Sequence, residues 1–242
     1  SGLPYAVKMV LDNPKLTGIY GVIANLLETE KEYDVAISTA LGAASNYIVV
    51  DDEFTAKEAI KYLKVNKFGR ATFFPINVIK PKEIDNATYK LLKEEKDFVG
   101  VASSLVRYES TYDGIIKNQL GTTIIVNDID SANDIARKIN YRYRIVTLEG
   151  ELLHVGGSLT GGIIKNTTNL ITQKHELEDN VRILDDIQKS RSRLEISMNE
   201  IDDKYNNVLE EKNKLIEEKT NLELSLNYET QNLLKYHNNY YY

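Results

Sequence analysis

No cysteine occurs in the 242-residue sequence. Its absence excludes disulfides, thiol nucleophiles, iron–sulfur clusters and every cysteine-based zinc site. Histidine is nearly as scarce. His154, His175 and His237 lie too far apart to read as a metal motif, so neither a metal nor another cofactor is expected. No apolar run approaches the roughly 18–20 residues that a membrane span needs, and no membrane partner is expected either. Ser1-Gly2-Leu3-Pro4 has neither the basic region nor the apolar block of a secretory leader. What remains is 42% hydrophobic and 27% charged, the balance of a folded chain rather than a disordered one.

Glycine and proline are missing from one part only. All 13 glycines precede residue 163 and all four prolines precede residue 82. A stretch without either for 77 residues, 166–242, cannot turn and is free to be one helix. Ile187, Leu194, Ile201, Val208, Leu215 and Leu222 recur every seventh residue there. Arg191, Met198, Tyr205, Lys212, Lys219 and Leu226 follow each by four. Alternating spacings of four and three make a coiled-coil seam, and a seam needs a partner helix. At 1.5 Å per residue the arm is roughly 100 Å long. The arm carries a net charge of −5, against −1 for residues 1–165.

Residues 1–165 contain an internal repeat, with copies at about 21–80 and 100–150. Gly21-Val22 recurs as Gly100-Val101, 79 residues later. At the same offset Leu26 matches Leu105, Glu30 matches Glu109, Tyr33-Asp34 matches Tyr112-Asp113, Ile37 matches Ile116 and Leu41-Gly42 matches Leu120-Gly121. After a three-residue shortening, Ile48-Val49-Val50-Asp51-Asp52 matches Ile124-Ile125-Val126-Asn127-Asp128, and Ala56 matches Ala132. Each copy reads as helix (31–41, 110–120), strand (47–50, 122–126), helix (55–64, 131–141) and strand (71–74, 143–148). Asp51-Asp52, and Asp128 with Asp130, open the second helices, which favours capping over acid–base catalysis. The expected fold is α+β: mixed sheets with covering helices in two similar subdomains, followed by a long coiled-coil helix.

Gly156-Gly157-Ser158-Leu159-Thr160-Gly161-Gly162 is the most unusual local string. A phosphate loop would need Lys and Ser/Thr where Ile163 and Ile164 stand. An interface is the stronger reading, because glycines let two backbones approach and an exposed strand edge pairs with another. Leu159 and Ile163 would supply apolar contact, and a plain glycine turn into the helix is the alternative. His154, among apolar residues, reads as structural. Two runs are basic without an intervening acid. The first holds Lys61, Lys64, Lys67, Arg70, Lys80 and Lys82; the second holds Arg137, Lys138, Arg142 and Arg144, interleaved with Tyr141 and Tyr143. Such runs attract nucleic-acid phosphates without reading sequence, and tyrosines can stack on unpaired bases. A solvated helix face explains the same residues.

Several strings resemble one known family. Gly69-Arg70-Ala71-Thr72-Phe73-Phe74-Pro75, Tyr33 through Gly42, Ala56 through Lys64, and Tyr143 through Gly150 are similar to the hinge domain of structural maintenance of chromosomes (SMC) proteins. Gly156–Gly162 matches that family's GGxxTGG signature. The resemblance covers residues 4–165 and is strongest to the bacterial chromosome-partition members; Phe74 and Ile76 depart conservatively. It implies two similar subdomains and a homodimer through the hinge, with Gly156, Gly157, Leu159, Gly161 and Gly162 at the interface. The two basic runs then add an expected weak, non-specific DNA contact, to which Lys61, Lys64, Lys67, Arg70, Arg137, Lys138 and Arg142 are assigned, in a cytoplasmic, nucleoid-associated setting. The family's nucleotide-binding halves lie at the ends of the full-length ATPase. These 242 residues would then be its middle: not an enzyme, without a cofactor, carrying one helix of an antiparallel arm. An α/β nucleotide-binding protein oligomerised by its helical tail is the alternative. A zinc-hook relative would need a CxxC motif, and a dedicated DNA-binding domain would need a clearly basic globular part.

Overall fold

The computed structural model describes residues 2–162 and 170–240. The chain forms two compact units that meet after Glu178. The change of architecture expected at residues 165–166 lies outside the described residues.

In the first unit, helix α1 (Tyr5–Leu11) precedes the two copies. The first copy runs β1 (Ile19–Val22), β2 (Leu27–Thr29), α2 (Asp34–Leu41), β3 (Ile48–Val50), α3 (Glu53–Asn66) and β4 (Phe73–Pro75). Helix α4 (Asn86–Lys93) separates it from the second. That copy runs β5 (Phe98–Val101), β6 (Val106–Tyr108), α5 (Asp113–Leu120), β7 (Thr123–Val126), α6 (Ile129–Lys138) and β8 (Arg144–Thr147). Strands β9 (Leu152–Leu153) and β10 (Leu159–Thr160) follow, then α7 (Leu170–Tyr240).

The duplication extends to strand pairing. In each copy the first strand pairs antiparallel with the third, and the third pairs parallel with the fourth. The register slips at matched places, Ile19/Gly21 and Phe98/Gly100. The first sheet has the order β1-β3-β4, the second β10-β9-β8-β7-β5. The second strands of the two copies, β2 and β6, pair with each other as a separate ribbon.

The central strands β3 and β7 are buried at every position because both faces are covered. Ile48 and Val50 face a cluster with Val7 and Val10 of α1 and Ala59 and Leu63 of α3. Ile124 and Val126 face Ile135 and Ala136 of α6. The alternate residues Val49 and Ile125 point to a third cluster, built around Ile37 and Leu41 of α2 and Ile116 and Leu120 of α5. A period of two places successive side chains on opposite faces. The core therefore has three layers, with α2 and α5 between the sheets.

Local rules account for the helix ends. Asp52 accepts the N–H of Thr55 at 2.8 Å, and Asp128 accepts that of Ser131 at 2.8 Å. The expected caps are these two; Asp51 instead accepts the Tyr20 hydroxyl. Helix α6 stops at Lys138 rather than 141 because Asn140 and Tyr141 turn left-handed, and the Tyr141 N–H returns to the Ala136 carbonyl at 2.9 Å. Residues 31–33 form a 3-10 turn, with the α-helix beginning at Asp34. Strands β1, β2, β5, β6, β9 and β10 and helices α1 and α4 go beyond the elements expected from sequence.

The second unit is the remainder of α7, from Asp179. All nine apolar residues named in the two seam rows are exposed there. The seam cations Arg191 and Lys219 each meet a glutamate one turn on, Glu195 at 3.3 Å and Glu223 at 3.7 Å. Among the described residues no helix is long and apolar enough to cross a membrane.

Candidate association edge and basic surface

The glycine string is a β-hairpin. Leu153 faces Leu159 and Leu152 faces Thr160, and the loop closes with His154 N–H to the Ser158 carbonyl at 2.8 Å and Gly157 N–H to the His154 carbonyl at 3.0 Å. His154 Nε2 lies 3.0 Å from the Thr160 hydroxyl, across the same hairpin. Gly157 has φ +100°, and a Cβ there would press on the Tyr141 ring at 3.3 Å. The turn thus has its own need for glycine.

The same hairpin ends the second sheet. Among the described residues, strand β10 has a neighbour on one side only. His154 and Ser158 form a hydrogen-bonded pair, so by antiparallel alternation the N–H and C=O of Leu159 point away from β9, into the open edge. The Leu159 side chain is 54% exposed, and Gly156, Gly161 and Gly162 are exposed beside it. The structure brings all five predicted interface residues to one edge. Ile163 lies outside the described residues. Among the described residues the first sheet ends instead at β4, which has no counterpart of the β9–β10 hairpin and carries Pro75, a residue suited to an edge.

The two basic runs separate in their surroundings. Lys61, Lys64, Lys67 and Arg70, on the last turns of α3 and the loop after it, are exposed. None of the four has an ion-pair partner among the described residues. The second run is engaged. Arg137 meets Asp134 at 3.6 Å and Lys138 meets Glu95 at 2.6 Å. Arg142 meets Asp85 at 3.5 Å and donates to the Thr88 hydroxyl at 2.7 Å. Arg144 donates to the Ala40 carbonyl at 3.1 Å and the Thr123 hydroxyl at 2.8 Å, and burial pushes its pKa below the ordinary guanidinium value. Tyr143 bonds Asp85 rather than standing free to stack. No cluster of His, Asp and Glu that would hold a metal occurs among the described residues.

The family model described as SMC proteins Flexible Hinge Domain matches residues 16–136, which contain the first copy and most of the second. The chain belongs to the SMC hinge family. Over 197 residues the hinge is 42% identical to the Chromosome partition protein Smc of Bacillus subtilis (strain 168), covering 81% of this chain and 17% of that protein. It is 41% identical over 147 residues to the Chromosome partition protein Smc of Pyrococcus furiosus, covering 60% of this chain and 11% of that protein. The chain therefore spans well under a fifth of these relatives' length. A crystal structure described as an asymmetric dimer of the Geobacillus stearothermophilus SMC hinge domain matches with a TM-score of 0.71 at 40% identity, over 81% of this chain and 79% of that one. The Pyrococcus furiosus SMC hinge domain matches with a TM-score of 0.56 at 34% identity, over 69% and 87%.

Proposed function

We propose that this hinge is a self-association module that joins two copies of a chromosome-partition protein at the base of their coiled-coil arms. The observation that carries the reading is the β10 edge, open among the described residues, with Leu159 exposed and its backbone directed outward, where the other sheet shows no corresponding hairpin among those residues. Strand β10 of one copy pairs with the free first-sheet edge of the other, and the reverse contact forms by symmetry. Two such contacts close a two-fold dimer and leave no propagating edge. The Geobacillus relative, described as an asymmetric dimer, supports self-association of the hinge.

Lys61, Lys64, Lys67 and Arg70 make weak, non-specific contacts to DNA phosphates, because they are the predicted cations not already engaged with acids. Arg137, Lys138 and Arg142 contribute less, each having an acid of its own. The exposed seam of α7 pairs with a second helix of the arm. The setting for this activity is the nucleoid, in the cytoplasm.

Light scattering of the 242-residue chain across a dilution series tests the association. Leu159→Pro removes one outward N–H and no hydrogen bond to β9. It is expected to convert a dimer to a monomer, while Leu194→Lys with Leu215→Lys in the helix leaves the dimer intact. The reverse pattern, association lost only with the helix variant, would assign the dimer to the arm and refute the β10 edge.

A further inference from the structure

Asp34 opens α2 and is buried, with 6% of its side chain exposed. A carboxylate taken out of water needs partners for both oxygens. Asp34 has one among the described residues: its Oδ2 lies 2.8 Å from Nδ1 of His175, on the second turn of α7. Its Oδ1 is buried with no hydrogen-bond partner. The pair spans 141 residues of chain and joins the first repeat to the start of the helix.

The repeat shows what is unusual here. Asp113 occupies the corresponding position at the head of α5. It takes both partners from its own copy, the Tyr108 hydroxyl at 3.1 Å and the Lys117 ammonium at 3.2 Å. At the same offset the first copy has Thr29 and Ser38. Thr29 directs its hydroxyl to the Leu105 carbonyl at 2.8 Å, and neither residue carries a charge. The first copy has no lysine at the position of Lys117, and the long helix brings a hydrogen-bond partner in its place.

We propose that Asp34 and His175 form a latch that holds the second turn of the arm helix on the first repeat, and that this turn lifts when the latch is broken. Removing the imidazole leaves a buried carboxylate without a partner among the described residues, and the least costly way to return it to water is to raise residues 174–178. Apolar contact at Leu170 and Ile171 holds the first turn, so release begins beyond it. The neighbouring pair Lys174–Glu28, at 3.3 Å, is substantially exposed on both sides and adds little.

Amide hydrogen exchange of the whole chain tests this. His175→Ala is expected to speed exchange at residues 174–178 about tenfold or more, with α5 unchanged. In an Asp34→Asn background, where there is no charge to strand, the same substitution changes exchange there by less than about threefold. His175→Gln, which keeps a neutral donor, falls between and carries the test should the alanine variant unfold. Equal effects of His175→Ala in both backgrounds, or none in either, would overturn the latch and leave apolar packing as the only anchor.

Discussion

Asp85 and Tyr143, 58 residues apart, are bonded twice: the phenol donates to Asp85 Oδ2 at 2.9 Å and accepts the Asp85 N–H at 3.2 Å. The same carboxylate caps α4 through the Thr88 N–H at 2.9 Å and hydroxyl at 2.8 Å. One acid therefore fixes the helix between the copies and ties it to the entry of β8.

These bonds, together with nearby Arg142, hold the Asp85 carboxyl down at about 2. A depressed folded-state pKa stabilises the fold above the unfolded value near 3.8, and that contribution is lost as pH falls toward 2. Tyr143→Phe removes one of the bonds that depress it. The variant is expected to show a shallower loss of stability between about pH 4 and pH 2. Urea denaturation at a series of acidic pH values checks this, and an unchanged slope would count against the cluster.

Gly121 has an ordinary backbone conformation, φ −70°. Its glycine is demanded by space: a Cβ would lie 1.9 Å from the Lys82 carbonyl oxygen. The segment before α4 crosses α5 at that point, and Asn118 donates to the Lys80 carbonyl beside it at 2.7 Å. Gly121→Ala is expected to cost about 1–3 kcal/mol through overpacking. Gly42, its repeat counterpart, has open space around it but φ +51°, so Gly42→Ala is expected to cost about 1 kcal/mol through backbone strain alone. Chemical denaturation of both variants decides the order.

Ile125 is fully buried in the layer between the sheets. Ile125→Ala is expected to destabilise the unit by about 2–5 kcal/mol. Because this layer holds residues of both copies, far-UV circular dichroism and exchange at α2 should report one cooperative loss, not the separate melting of the second copy.

Replacing Lys61, Lys64, Lys67 and Arg70 with alanine is expected to weaken DNA binding at low salt. The slope of log affinity against log salt should fall by about one for each contacting cation removed. Arg137→Ala is expected to change it less, because that side chain already faces Asp134. Fluorescence anisotropy against a salt series measures both, and oligomeric mass is expected to stay constant in each variant.

Much of this molecule follows from rules that act over a few residues. Asp52 and Asp128 cap helices because an N-cap reaches only three residues ahead, so residue type and spacing suffice to locate it. The long helix follows from the absence of any residue able to break it. The two copies are visible because the same short strings recur in the same order. The remaining features depend on residues far apart in the chain. Sequence shows two equally basic runs; only the fold puts Glu95 and Asp85 against the second and leaves the first free. The glycine string reads as an interface with a plain turn as the alternative, and only the order of the second sheet makes β10 an edge strand among the described residues. Gly42 and Gly121 look like one repeated helix stop, yet φ decides the first and the Lys82 carbonyl the second. Asp34 and Asp113 match in sequence and differ in partner because one of them lies under the start of a helix 141 residues away. Local hydrogen bonds and periodicity are written in neighbouring residues, whereas burial, charge pairing and free edges arise when distant segments exclude water together.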